Sequence, residues 1–250
     1  MTIETEEDLK KLQIIGRIVA LTIQEIGQHI RPGTTTQELD DVGKCCLERH
    51  DAHSAPRKMY NFPGTTCISV NEEAAHGIPG PRVLQDGDIV NIDVSAERDG
   101  YYADAGHTFL VGASSEADQR LCRAAQQALL EAIQAARADQ RLHLIGRSIE
   151  HVAKHYGYKT LRDLGGHGIG RSLHEEPSFI AGFFDRRDTR RLKEGQVITI
   201  EPFLSTKAHQ TQLSSDGWTL LTPPNNRCAQ FEHTLIITKD RPLVLTSLDT

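Results

Sequence analysis

The chain has 250 residues, 28 Lys and Arg against 34 Asp and Glu, a formal net charge of −6 and 38% hydrophobic residues. A chain of this length and composition is an ordinary globular one that buries roughly 70–75% of its unfolded surface, which excludes disorder and any need for a disulfide or metal merely to hold a core. No apolar run approaches the ~18 residues of a membrane span, and the acidic balance gives no basic footprint for nucleic acid.

Residues 5–30 predict an amphipathic helix. Leu9, Leu12, Ile15, Val19, Ile26 and Ile30 form the stripe, Thr5 can cap it, and Glu6, Glu7 and Asp8 suit its positive end before Pro32-Gly33 stops it. A second helix follows, with Thr35 and Glu38 spaced as a capping box and Leu39, Val42, Cys46 and Leu47 facing inward. A third runs from about 115 to 133 and a fourth from about 142 to 156. The β-rich runs are 66–70, 89–94, 101–111, 197–203 and 231–238. No low-complexity linker divides the chain, so the expectation is one α+β domain. The start MTIETEEDLK lacks the apolar core of a secretory signal. Five cysteines (Cys45, Cys46, Cys67, Cys122 and Cys228) are odd in number and lack a CxxC, as expected of reduced thiols in the cytoplasm.

The most informative feature of the organisation is an internal repeat. VLQDGDIVNID (83–93) parallels RLKEGQVITIE (191–201), with Gly87 against Gly195 and Asp93 against Glu201. Upstream of each lies His-Gly-Ile, at His76-Gly77-Ile78 and His167-Gly168-Ile169. Downstream lie an acid and then His-Thr, at Asp104 with His107-Thr108 and at Glu232 with His233-Thr234. Matches recurring in one order point to a duplicated, pseudo-two-fold domain with halves of about 1–112 and 113–250.

The acids in these repeats carry the chemistry. Residues 89–109 read as a hairpin. A four-residue loop at 97–100 pairs Asp93 directly with Asp104, whereas a tighter Asp99-Gly100 turn shifts the pair by one diagonal and keeps both on one face. Opposed carboxylates repel, so they are either solvated surface acids or hold a cation between them. Glu201 ends the apolar run VITI and Glu232 precedes HTLIIT. Such acids are costly to bury unless paired or metal-bound. With His167 from the Gly-rich loop GGHGIG, the set is two Asp, two Glu and one His. Oxygen-rich ligation with one imidazole suits two divalent ions of Mn, Fe or Co, with Zn or Ni as further candidates, and fits metal-assisted hydrolysis.

The segments NFPGTTCISVNEEAAHGIPG (61–80), GDIVNIDVS (87–95), DGYYADAGHTF (99–109), GGHGIGRSLHEEP (165–177), TIEP (199–202), DGWT (216–219) and QFEHTLIIT (230–238) closely resemble bacterial-type type I methionine aminopeptidases, in the short form with only a catalytic domain. The resemblance implies the pita-bread fold, an α+β arrangement with a pseudo-two-fold antiparallel sheet covered by two pairs of helices. It implies a dinuclear centre on Asp93, Asp104, His167, Glu201 and Glu232. It also implies that His174 stabilises the oxyanion, that His76 holds the peptide backbone and assists the leaving amine, and that Glu201 shuttles protons. By position, Phe62, Cys67, Leu173 and Trp218 are the candidates for the methionine pocket, with Met59 near its rim. One subtype carries Cys and Tyr at the positions of Pro56 and Met59 and Tyr where Phe62 stands, a departure that bears on fine specificity.

The implied activity is removal of the initiator methionine from nascent chains near the ribosome, ahead of a small second residue, by a cytoplasmic monomer with no membrane or nucleic-acid partner. Aminopeptidase P or prolidase is the runner-up within the fold, although these usually carry an additional N-terminal domain. A non-catalytic pita-bread binding module is the rival of another class, and would tend to lose the metal ligands kept here.

Overall fold

The computed structural model describes residues 1–248. Helix α1 (Glu6–His29) begins at Thr5, whose side chain accepts from Asp8 N while Asp8 returns a carboxylate to the Thr5 backbone. Thr35 and Glu38 close the same box at α2 (Thr36–Arg49). Each box satisfies N–H groups that the first helical turn leaves unpaired. The short helix α3 (Ala55–Tyr60) is capped by Ser54, has Pro in its first turn, and ends on Asn61 in the left-handed region. It was not foreseen. Helices α4 (Glu116–Ala135) and α5 (His143–Tyr156) follow the expected bounds to within two residues.

The strands that position the site are β1 (Cys67–Val70), β2 (Ile89–Arg98), β3 (Tyr101–Leu110), β4 (Gly165–Gly168), β5 (Glu175–Ala181), β6 (Val197–Ile200), β7 (Phe203–Ser205), β8 (Cys228–Gln230) and β9 (His233–Ile236). In the first half β2 lies between β1 and β3, all antiparallel. In the second half the order is β9-β6-β4-β5, continued at the β9 edge by Leu243–Val244. A seam joins the halves: Glu232 N donates to Gly106 O at 2.9 Å, and Thr234 Oγ1 bonds both Asp104 N (2.9 Å) and Asp104 O (2.7 Å).

The four-residue hairpin loop is not formed. Arg98 pairs with Tyr101 across a two-residue turn, with Asp99 at φ 55° and Gly100 at φ 79°. Positive φ at both central residues matches the right-handed strand twist, and Asp-Gly is well suited to it. Ser95 therefore faces Asp104, and Asp93 is its diagonal neighbour. GGHGIG is likewise not simply a loop, because its first four residues are the strand β4.

The α1–α2 pair covers the β2–β3 side, where Leu12, Ile15, Leu39, Val90, Ile92 and Val94 are almost wholly buried. The α4–α5 pair covers the other side through Leu121, Ile145, Ile149, Ile198 and Leu235. The result is the pseudo-two-fold α+β arrangement, with helices on one face and the concave opposite face left to the acids.

Candidate active site

Along β2, the residues alternating with Val90, Ile92 and Val94 point away from the helices, and this aims Asp93 into the concave face. Asp104 is 6% exposed, accepts from Ser95 Oγ at 2.8 Å, and lies diagonally across the strand pair from Asp93. Glu201 follows β6 and Glu232 precedes β9. Because His233 pairs with Ile200, the two glutamates meet at the same end of this antiparallel pair. Gln230 Nε2 donates to one Glu232 oxygen at 3.0 Å, while the other, Oε1, is buried without a hydrogen-bond partner among the described residues.

His167 sits on β4, 5% exposed. Its Nδ1 lies 2.9 Å from Gly168 O, a contact that places the proton on Nδ1 and frees the Nε2 lone pair. Asp104 Oδ2 and Glu201 Oε1 each lie 3.9 Å from that Nε2. Ligand atoms of Asp104, His167 and Glu232 all lie within 4.8 Å of one another.

Burial raises the carboxyl groups of Asp93, Glu201 and Glu232 well above their ordinary range, and their mutual repulsion adds to this. Burial also raises Asp104, against the Ser95 hydrogen bond that lowers it. His167 is pushed down to about 4 by burial, so it is a neutral nitrogen donor at neutral pH. Clustered buried acids, a neutral imidazole lone pair and an orphaned carboxylate oxygen fit a divalent cation, since each of these penalties falls when positive charge sits among them.

A cavity of about 220 Å³ opens beside the cluster, and Phe62, Cys67, His76, Leu173, His174 and Trp218 line it together with the five acidic and imidazole groups. Phe62 is 3% exposed and meets Trp218 edge-on, with ring centroids 5.2 Å apart. Asp40, a buried residue of α2, accepts from Thr65 N and Thr66 N at 3.0 and 2.7 Å, and so ties the end of the 61–66 segment to that helix. His174 is held at the mouth, its ring 4.1 Å from that of His167. Glu175 fixes its loop by accepting from Arg171 N and Ser172 N at 2.6 and 2.8 Å.

Met59 does not line this cavity. It is 40% exposed and its sulfur accepts from Tyr102 Oη at 3.6 Å. The cause is helical phase: Pro56 and Tyr60, four residues apart on α3, share the cavity face, while Met59 is rotated away. Tyr60 was missed for the same reason, since only the helix reveals its direction. Phe179 and Phe203 also line the cavity, and the acid-and-imidazole pattern carried no signal for them.

Residues 10–239 match metallopeptidase family M24. The chain is 47% identical over 249 residues to methionine aminopeptidase 2 of Bacillus subtilis, covering 99% of this chain and all of that one. It is 45% identical, over the full length of both, to a methionine aminopeptidase of Staphylococcus epidermidis. The crystal structure of methionine aminopeptidase from Rickettsia prowazekii superposes with a TM-score of 0.94 at 37% identity, over 99% of this chain and 100% of that one. Prolidase from Pyrococcus furiosus shares the fold, with a TM-score of 0.78 at 23% identity, but this chain spans only 66% of it. Sequence, fold and buried ligand cluster agree, and the chain belongs to metallopeptidase family M24 and, within it, to the methionine aminopeptidases.

Proposed function

We propose that this chain releases N-terminal methionine from nascent proteins and peptides ahead of a small second residue, using two divalent ions held by Asp93, Asp104, His167, Glu201 and Glu232. The observation that carries this reading is the convergence of Asp104, His167 and Glu232 ligand atoms at the floor of a cavity walled by Phe62, Leu173 and Trp218. Divalent ions bound there supply Lewis acidity, lowering the pKa of a water and polarising the scissile carbonyl. Cobalt, manganese and iron suit this oxygen-rich set best, with zinc or nickel as further candidates.

The rest is the work of the chain's own groups. Phe62, Cys67, Leu173 and Trp218 receive the apolar, polarizable methionine side chain. His174 donates an N–H hydrogen bond to the carbonyl oxygen as negative charge develops on it. His76 binds the peptide backbone and assists proton transfer to the departing amine. Glu201, which accepts from Thr199 Oγ1 at 3.4 Å, takes up the proton that the water loses and returns it to the departing amine. The working form is a cytoplasmic monomer acting near the ribosome, and the halves 1–112 and 113–250 descend from one duplicated unit.

Met-Gly-Met-Met and an X-Pro peptide, assayed side by side with Mn, Fe and Co, test the reading. Metal-dependent methionine release is expected. Cleavage of the X-Pro peptide instead favours the prolidase-type alternative, and no methionine release from folded, metal-loaded protein refutes the proposal.

A further inference from the structure

Tyr60 Oη lies 2.7 Å from His174 Nδ1, with ring centroids 5.7 Å apart and planes inclined at 52°. A neutral imidazole carries one N–H and one lone pair, and the partner of one nitrogen decides what the other can do. If Nδ1 held the proton, it would donate to the phenol oxygen and leave Nε2 an acceptor, useless to a carbonyl oxygen gaining negative charge. If the phenol donates, Nδ1 accepts and the proton sits on Nε2. A phenol is the stronger donor of the two and the imidazole lone pair the stronger acceptor, which favours the second arrangement.

We propose that Tyr60 is a positioning residue for His174: its hydroxyl donates to Nδ1, locks the Nε2–H tautomer and holds the ring at the cavity mouth. This rests on the role given to His174 under Proposed function. The placement is built into the local fold. Ser54 starts α3, with its hydroxyl 2.6 Å from Thr65 O, and Asn61 ends α3 in the left-handed region with its N–H returned to Arg57 O at 3.1 Å. Both ends of this helix are therefore fixed, and its last residue is the one aimed at His174. The imidazole is steadied on its other side by the His167 ring and by the Glu175 contacts to Arg171 and Ser172. Tyr60 is itself 42% exposed, so a change there leaves the core intact.

The test pairs kinetics with imidazole nitrogen NMR on protein loaded with diamagnetic Zn²⁺. Tyr60→Phe is expected to lower kcat about tenfold with KM nearly unchanged, the scale of losing one hydrogen bond that matters mainly in the transition state. The His174 nitrogen shifts should move from a single Nε2–H tautomer towards a mixture, and Tyr60→Gln, which restores an N–H donor, should recover part of both. In a His174→Ala background the same Tyr60→Phe change should have little further effect. The NMR signature needs no turnover, so a protein that releases no methionine yet shows the tautomer shift would refute the activity and leave the positioning intact. An unchanged tautomer, an effect confined to KM, or a full tenfold loss in the His174→Ala background would each overturn the proposal.

Discussion

Glu232→Gln should have opposite effects on the metal-free and the metal-loaded protein. Glu232 is 2% exposed, one of its oxygens has no hydrogen-bond partner among the described residues, and its ligand atom lies within 4.8 Å of that of Asp104. At an effective dielectric of ~20, two full charges at that separation repel by about 3.5 kcal/mol, and partial protonation of the raised carboxyls relieves some of this. The Gln amide can still bond to Gln230, whose Nε2 holds Glu232 Oε2 at 3.0 Å, and it donates to the neighbouring acids. Metal-free Glu232→Gln should therefore be more stable than the metal-free parent by about 1–3 kcal/mol, a Tm rise of roughly 2–10 °C in a domain of this size. Cation at ~1000 times its Kd should stabilise the parent by about 4 kcal/mol and the variant far less. The pH dependence follows from the direction of the shift. A raised folded-state carboxyl binds more protons than its unfolded counterpart, so stability falls as pH rises through the raised value, and the advantage of the variant should grow with rising pH and shrink on acidification. Scanning calorimetry of both proteins with EDTA and with Mn²⁺, at two pH values, reads all of this. A metal-free variant less stable than its metal-free parent, or a parent whose Tm ignores EDTA, would refute the assignment of this cluster as a cation site.

His174→Ala should cut turnover about 100-fold or more while metal content, read by elemental analysis, stays near that of the parent. Gly166→Ala should lose metal binding through the backbone alone, because an added Cβ would lie 2.3 Å from Thr199 O and push β4, which carries His167, off β6; unchanged metal content would contradict this. His107 packs against Phe109 and Phe231 with centroids 4.5 and 4.6 Å away, and burial, with a smaller contribution from His233, pushes it down to about 4. Its lowered value means that stability is full above its ordinary value near 6.5 and falls between there and about 4, by about 3 kcal/mol at most, and His107→Phe should flatten that part of a urea-unfolding pH profile.

The long elements were legible because their signals are local. Thr5 and Thr35 announce helix starts, and the hydrophobic stripes continue from them. The acids were legible because Glu201 and Glu232 flank apolar strands, where a bare carboxylate is expensive. Two things were hidden. Helix α3 is six residues long, too short to show a stripe, and its phase alone decides that Tyr60 rather than Met59 faces the cavity. Strand β4 is glycine-rich and reads as loop, yet a Cβ on Gly165, Gly166 or Gly168 would come 2.3 Å from a carbonyl oxygen of a neighbouring strand. The residues that weaken a strand signal are there because the backbones approach so closely. Hairpin geometry lay between these cases, since the sequence allowed two turns and only the pairing of Arg98 with Tyr101 decides between them.

The two His-Gly-Ile segments show how a pseudo-symmetric frame yields unlike chemistry. In both, the glycine is demanded by backbone: a Cβ on Gly77 would lie 2.2 Å from Ile68 O, and one on Gly168 2.3 Å from Glu176 O. The histidines diverge. His167 is a buried strand residue among carboxylates, whereas His76 has φ 55° and stands solvent-reachable in the cavity wall. A left-handed backbone costs a side-chain-bearing residue roughly 1–2 kcal/mol, and a position that persists with that cost at a cavity is held there by its surroundings. His76→Gly would relieve the strain, and the extra freedom of glycine in the unfolded chain would take back about 0.5–1 kcal/mol. The difference leaves a gain of about 0–1.5 kcal/mol, so urea unfolding should shift by no more than about 1.5 kcal/mol while methionine release collapses. Loss of 2 kcal/mol or more would mean that the ring is packing rather than function, and unchanged turnover would remove His76 from the proton-transfer role.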